Sequence, residues 1–211
     1  MTSRSNPNEV SPGLRHDRQS LLSLLATLSF RLGEFTLSSG SKSDYYIDCR
    51  TTTLHAEGGR LCGIVLLDLI QRHAMTPDAV GGLTMGADPL VSNIATASAI
   101  ARLADSNAAL INGFLVRKTE KTHGTGRRIE GFLQPGARVV IVDDVCTTGA
   151  STIAGIEAAR EAGMQVSGVL CLVEREEHNG RPAVEAAAGP GVPFLAAFTA
   201  TDVRGAHIRQ I

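Results

Sequence analysis

Apolar residues recur at helical spacing from about Asp17 to Leu32, and Gly33 follows them, which predicts a helix with a glycine stop. Two short β-prone runs come next, Phe35-Thr36-Leu37 and Tyr45-Tyr46-Ile47, on either side of a Ser/Gly-rich turn. That arrangement predicts a hairpin. Glu57 to Ala74 reads as a second helix, with Leu61, Ile64, Val65 and Leu69 on one stripe. From there the chain alternates. Strands are predicted at 79–83, 108–116, 138–145, 166–174 and 193–200, and helices at 87–103 and 151–162, the last ending at Gly163. Continuous apolar strands alternating with helices belong to the α/β class, with a mainly parallel central sheet covered on both faces. No internal repeat is visible.

A chain of 211 residues fits one domain with a substantial core. Its first thirteen residues, MTSRSNPNEVSPG, are polar and broken by Pro and Gly, so they are expected to be a disordered lead-in before a domain over 14–211. They lack the apolar core of a signal peptide. The run LLSLLATL at 21–28 is too short for a bilayer, which takes about 20 apolar residues. A formal charge of -1 removes any global basic field, so neither nucleic acid nor a membrane is an expected partner, and any anion site must be local. Cys49, Cys62, Cys146 and Cys171 show no Cys-x-x-Cys spacing and have mostly apolar neighbours. They read as reduced thiols of a cytoplasmic protein rather than metal ligands or disulfides.

The chemistry concentrates in Val139–Ser151, VVIVDDVCTTGAS. Asp143 and Asp144 fall at the carboxyl end of a predicted central strand, and Thr147 to Ser151 form a tight, hydroxyl-rich loop into a helix. Free N–H groups at such a helix start bind a phosphate monoester without a lysine. The carboxylates accept hydrogen bonds from hydroxyls. A sugar phosphate meets both demands, with ribose hydroxyls on Asp143 and Asp144 and the 5′-phosphate in the loop. The segment is no Walker loop, because no Gly-Lys-Ser/Thr follows, and no dinucleotide fingerprint, which needs Gly-x-Gly-x-x-Gly. Between Val116 and Gly131 runs RKTEKTHGTGRRIEG, long, aperiodic and cationic, of the kind that is usually functional inside a compact domain. Open α/β sheets bind ligands beyond their strands' carboxyl ends, where this loop, the TMGADP turn and the DDVCTTGAS turn would meet.

VVIVDDVCTTGAS resembles the phosphoribosyl pyrophosphate (PRPP) signature of type I phosphoribosyltransferases. In combination with FTLSSGSKSDYYID at 35–48, GLTMGADPL at 82–90 and RKTEKTHG at 117–124, it resembles the orotate phosphoribosyltransferase family from roughly Leu21 to Phe198. The resemblance implies the type I phosphoribosyltransferase fold, with a hood built from about 17–50 on a core of about 56–211. It implies transfer of phosphoribose from PRPP to orotate, giving orotidine 5′-monophosphate and pyrophosphate in pyrimidine synthesis. It also implies a homodimer with shared active sites. Pyrophosphate chelates Mg²⁺ through its own oxygens, so magnesium is the expected cofactor and no protein metal ligand is named.

By the same resemblance PRPP is held by Asp143, Asp144, Val145, Cys146, Thr147, Thr148, Gly149, Ala150 and Ser151, and by Arg117, Lys118, Lys121 and His123. Lys121 and His123 are the expected catalytic contacts to the leaving group. Met85, Gly86 and Ala87 make the pyrophosphate turn, and Tyr46, Ile47, Thr147 and Arg175 hold orotate. Two lysines frequent in the family are absent: position 38 is serine, and the turn at 84–89 contains none. Bland readings stay open beside these. Arg175 sits among Glu174, Glu176 and Glu177 as a surface ion-pair residue would, and Tyr46 also suits plain strand packing. A sibling transferase for another base and a PRPP-sensing regulator are the rival functions.

Overall fold

The computed structural model describes residues 11–36, 42–118 and 128–210. Helix α1 (Pro12–Leu24) starts on Pro12, with the Ser11 hydroxyl accepting from the Leu14 N–H at 3.3 Å. One π-helical turn, Leu25–Ser29, carries it into strand β1 (Phe30–Thr36). The helix therefore begins before Asp17 and ends well before Leu32. Phe30, Arg31 and Leu32 pair instead with Ile47, Tyr46 and Tyr45 of β2 (Lys42–Ile47), so hydrogen bonding across the hairpin overrides helical periodicity. Gly33 lies inside β1, where the register shifts between Leu32 and Phe35. The expected hairpin is present; its tip, 37–41, lies outside the described residues.

A short α2 (Arg50–Thr53) leads to α3 (Ala56–Arg72), close to the expected helix. The main sheet is built from β3 (Ala79–Leu83), β4 (Asn112–Val116), β5 (Ile129–Gly131), β6 (Arg138–Cys146), β7 (Gln165–Glu174) and β8 (Phe194–Thr199). Their order is β5-β4-β3-β6-β7-β8, and every pairing is parallel except β4 with β5. Helices α4 (Ala87–Ala104), α5 (Ala150–Glu161), α6 (Gly180–Ala188) and α7 (Ala200–Ile208) complete the fold. After β3 the chain builds outward to one side, and after β6 to the other. The boundary between β3 and β6 is therefore the switch point where such sheets bind ligands.

The alternation of β6 shows why its sequence is apolar throughout. Val140 and Val142 enter the core shared with α1, α3 and the hairpin, whereas Val139 and Ile141 enter the core shared with α5. Both faces are dry, as a central parallel strand requires. The strand expected at 108–116 shortens to Asn112–Val116, because β3 begins at Ala79, opposite Asn112, and offers no partner earlier. Strand β5 and helices α2, α6 and α7 are additions to the predicted set. No helix among the described residues is long and apolar enough to cross a membrane.

Two glycines of β3 let the sheet close tightly at its centre. A Cβ at Gly82 would lie 2.1 Å from the Val142 carbonyl oxygen and 2.7 Å from the Ala87 Cβ. Gly82→Ala is expected to cost about 1–3 kcal/mol through overpacking. Gly13→Ala, in α1 with nothing near its Cβ, should be neutral or stabilising by about 0.5–1 kcal/mol. Chemical denaturation of both variants checks the contrast; equal stabilities would contradict it.

Candidate active site

Asp143 and Asp144 lie at the carboxyl end of β6, as the sequence placed them. Asp143 is 6% exposed and takes a 2.6 Å hydrogen bond from the Thr152 hydroxyl and a 3.0 Å bond from the Asp144 N–H. The Val145 N–H donates to Asp144 Oδ1 at 3.0 Å. Burial raises both carboxyls above their ordinary range, Asp143 to about 7, while the Thr152 bond and the Val145 N–H pull the other way.

Beyond them the chain turns at Gly149, whose φ of 81° is the left-handed region that glycine enters freely. A Cβ there would also meet Val184 Cγ2 at 2.5 Å. Helix α5 starts at Ala150 with no side-chain cap, the kind of helix start whose first N–H groups can take an anion. The Cys146 N–H is already committed to Cys171 Sγ at 3.2 Å.

The turn after β3 faces the carboxylates. The Thr84–Met85 peptide is cis, and Gly86 opens α4. A Cβ on Gly86 would stand 2.3 Å from Asp144 Oδ1, so only glycine lets this turn and β6 approach so closely.

The hairpin makes the opposite wall. Tyr45 and Ile47 point into the core, while Tyr46, 40% exposed, faces out against Phe35 with ring centroids 5.5 Å apart. Asp48 holds Arg50 with two bonds, Nε to Oδ1 at 2.8 Å and Nη2 to Oδ2 at 2.9 Å. Those bonds first of all hold the Asp48 carboxyl below its ordinary value. Arg175 is 5% exposed, with its guanidinium 4.4 Å from the Tyr45 ring centroid. It donates through Nε to the Tyr45 hydroxyl at 2.9 Å and through Nη2 to the Ser43 hydroxyl at 3.1 Å, and it pairs with Glu177 at 3.1 Å. The Tyr45 hydroxyl also donates to Glu177.

These elements enclose a cavity of about 530 Å³ that opens at the β3/β6 switch point. No protein-family model matches the chain. It is 41% identical over 169 residues to the orotate phosphoribosyltransferase of Rhodopirellula baltica, covering 78% of this chain and 84% of that one. The Aquifex aeolicus orotate phosphoribosyltransferase is 41% identical over 190 residues, 89% of this chain and 97% of its own. The chain belongs to the orotate phosphoribosyltransferase family. Its fold superposes on the Mycobacterium tuberculosis orotate phosphoribosyltransferase in complex with PRPP, with a TM-score of 0.69, 32% identity and coverage of 89% and 98% of the two chains. It is accordingly the type I phosphoribosyltransferase fold.

Of the residues singled out from the family resemblance, Asp143, Asp144, Val145, Thr147, Thr148 and Ser151 line the cavity, as do Tyr46, Ile47, Met85, Gly86, Lys118 and Arg175. Gly149, Ala150 and Ala87 shape its walls without lining it, and Cys146 turns into the core with 1% exposure. Arg117 points to Glu130, 3.0 Å away, outside the cavity. Lys121 and His123 lie outside the described residues. The base of their loop is fixed, because the Arg117 N–H donates to the Arg128 carbonyl at 2.8 Å and β5 then pairs with β4.

Arg175 is no surface ion-pair residue. Of its glutamate neighbours, Glu174 pairs with Arg181 at 2.9 Å and Glu176 accepts from the Ala200 N–H at 3.1 Å, so Glu177 alone meets it. The sequence reading did not single out Asp48, Arg50, Tyr45, Thr84 or Glu177. The first two were legible by strand alternation, since 45, 47 and 49 are the apolar, buried set and 46, 48 and 50 the opposite face.

The raised Asp143 carboxyl fixes a pH dependence. Between the ordinary 3.8 and about 7 the folded chain keeps a proton that the unfolded chain has released. The Asp143 contribution to stability is therefore greatest below that window and declines as pH rises through it. Asp143→Asn is expected to flatten this decline in melting temperature against pH; superimposable profiles for variant and parent would contradict it.

Proposed function

We propose that this chain transfers the 5-phosphoribosyl group of PRPP to orotate, forming orotidine 5′-monophosphate and pyrophosphate in pyrimidine synthesis. The observation that carries the reading is the carboxylate pair beside an uncapped helix start in one cavity, found in a member of this family. In this reading Asp143 and Asp144 accept from the ribose hydroxyls. The N–H groups and hydroxyls of Thr147, Thr148 and Ser151 take the 5′-phosphate, aided by the N-terminal field of α5. Arg175, already anchored by Tyr45 and Glu177, presents its guanidinium to the orotate carboxylate, and Tyr46 and Ile47 flank the base.

The bond from the anomeric carbon to the pyrophosphate oxygen breaks as the bond to the orotate ring nitrogen forms, and the proton that this nitrogen loses passes to water or to the departing pyrophosphate. Negative charge accumulates on the departing pyrophosphate, and donors fixed around it favour that change. Lys118, at the cavity, and Lys121 and His123, three and five residues further along the sequence, are the proposed donors, with the turn Met85–Ala87 offering backbone groups. Mg²⁺ is inferred as a companion of the substrate. Among the described residues no three His, Cys, Asp or Glu side chains are grouped to hold a metal. In this reading the ion would be held by pyrophosphate oxygens and water, with Asp144 on the cavity wall the carboxylate available to it. Bound there, it would neutralise charge on the leaving group. We further read 14–211 as one catalytic domain, working as a homodimer whose loops complete shared sites. The four buried free thiols suit a reducing, cytoplasmic setting.

The test is product formation from PRPP with orotate, adenine, hypoxanthine or uracil and Mg²⁺. Turnover of orotate alone is expected, and turnover of a purine alone would end the reading. In the same assay Lys121→Ala should lower kcat about 10²–10³-fold with a much smaller change in the KM for PRPP, since its contact strengthens as the leaving group departs. Unchanged kcat would remove the loop from catalysis.

A further inference from the structure

A pyrophosphate group carries several negative charges, and here it would arrive beside two desolvated carboxylates. Something cationic must offset that repulsion. Neither β3 nor the turn that follows supplies it, for the segment AVGGLTMGADPL at 79–90 has no lysine or arginine. Among the described residues, the Lys and Arg side chains lining the cavity are Arg50, Lys118 and Arg175. Arg175 is engaged by Tyr45, Ser43 and Glu177 on the hairpin wall. Lys118 stands at the root of the loop after β4.

Arg50 stands where the cation is needed. Its guanidinium shares the cavity with Gly86 and Asp144, and the Gly86 backbone packs directly on the Asp144 carboxylate. The charge of Asp144 reaches Arg50, adding to the larger effect of the Asp48 hydrogen bond in keeping it protonated. Asp48 takes the Nε and Nη2 edge at 2.8 and 2.9 Å, which fixes the plane of the guanidinium and leaves the Nη1 side to a ligand. The side chain remains 43% exposed, so it is clamped in orientation yet open to the cavity. An arginine merely balancing Asp48 on the surface has no reason to line the cavity that Gly86 and Asp144 also line.

Resting on the transferase reading above, we propose that Arg50, oriented by Asp48, binds the pyrophosphate group of the phosphoribosyl donor and offsets the charge of Asp144. Arg50 is then a donor-binding residue and Asp48 a positioning residue. Neither contacts the base.

Arg50→Gln, Arg50→Lys and Asp48→Asn separate the roles. Arg50→Gln is expected to raise the KM for PRPP about tenfold or more, the loss of a charge-assisted hydrogen bond, with the KM for orotate changed less than about twofold. Arg50→Lys, which keeps the charge without the fork, should recover part of that loss. Asp48→Asn should show the same selectivity for PRPP with a smaller effect. In calorimetry, inorganic pyrophosphate with Mg²⁺ should bind Arg50→Gln about tenfold more weakly than the parent. An unchanged KM for PRPP, or equal rises for PRPP and orotate, would overturn the proposal, as would undiminished pyrophosphate binding. If Arg50→Gln does not fold, the Arg50→Lys and Asp48→Asn values decide by the same selectivity. The pyrophosphate titration needs no turnover, so it judges Arg50 even if orotate proves not to be the acceptor.

Discussion

Two adjacent carboxylates at the end of a central strand, Asp143 buried and Asp144 partly so, set the terms for the rest of the site. Desolvation costs a carboxylate several kcal/mol unless hydrogen bonds replace the water. Thr152 and the N–H groups of residues 144 and 145 replace only part of it, and burial keeps both groups above their ordinary titration range. An ionised carboxylate has room for about four donors. In the proposed reading the remaining acceptor capacity is met by ribose hydroxyls, so the sugar restores what folding removed.

The same pair dictates what surrounds it. In the proposed reading the 5′-phosphate is kept off these acids and lies along the chain at the start of α5, where backbone N–H groups and a helix dipole attract it without a buried lysine. The closeness of the parts makes glycine the residue of choice at three points. At 86 a side chain would strike Asp144, at 149 the backbone is left-handed, and at 180 a Cβ would lie 2.3 Å from the Thr147 carbonyl. Cations on the cavity wall are held in place, Arg50 by Asp48 and the buried Arg175 by Tyr45 and Glu177. Each carries its own carboxylate partner, which orients it without cancelling its reach.

Much of this was legible in the chain because it is local. The strand VVIVDDV, the turn after it and α5 follow from apolar continuity, a glycine that must go left-handed and a helix that begins without a cap. The parallel strands from β3 onward were found for the same reason, as was α4. Where pairing over distance decides, local pattern misled. Phe30 to Leu32 keep helical spacing but hydrogen-bond to β2, and Ala108 to Leu110 look like strand but have nothing opposite them. Strand β5 is three residues long and owes its existence to the edge of β4. Glu177 lies far from Tyr45 in sequence, so their link to Arg175 emerges only in the folded chain. Arg50 carried no motif of its own; its meaning comes from the cavity it borders.

On the transferase reading, Asp143 and Asp144 recognise a pentose through its hydroxyls. This recognition is tested most directly by titrating the protein calorimetrically with ribose 5-phosphate and with 2-deoxyribose 5-phosphate. These share the phosphate and differ in one hydroxyl. Hydrogen bonds to charged groups are worth about 1.5–3 kcal/mol, so the ribose compound should bind about tenfold more tightly or better. Equal affinity for the two sugars would contradict the account.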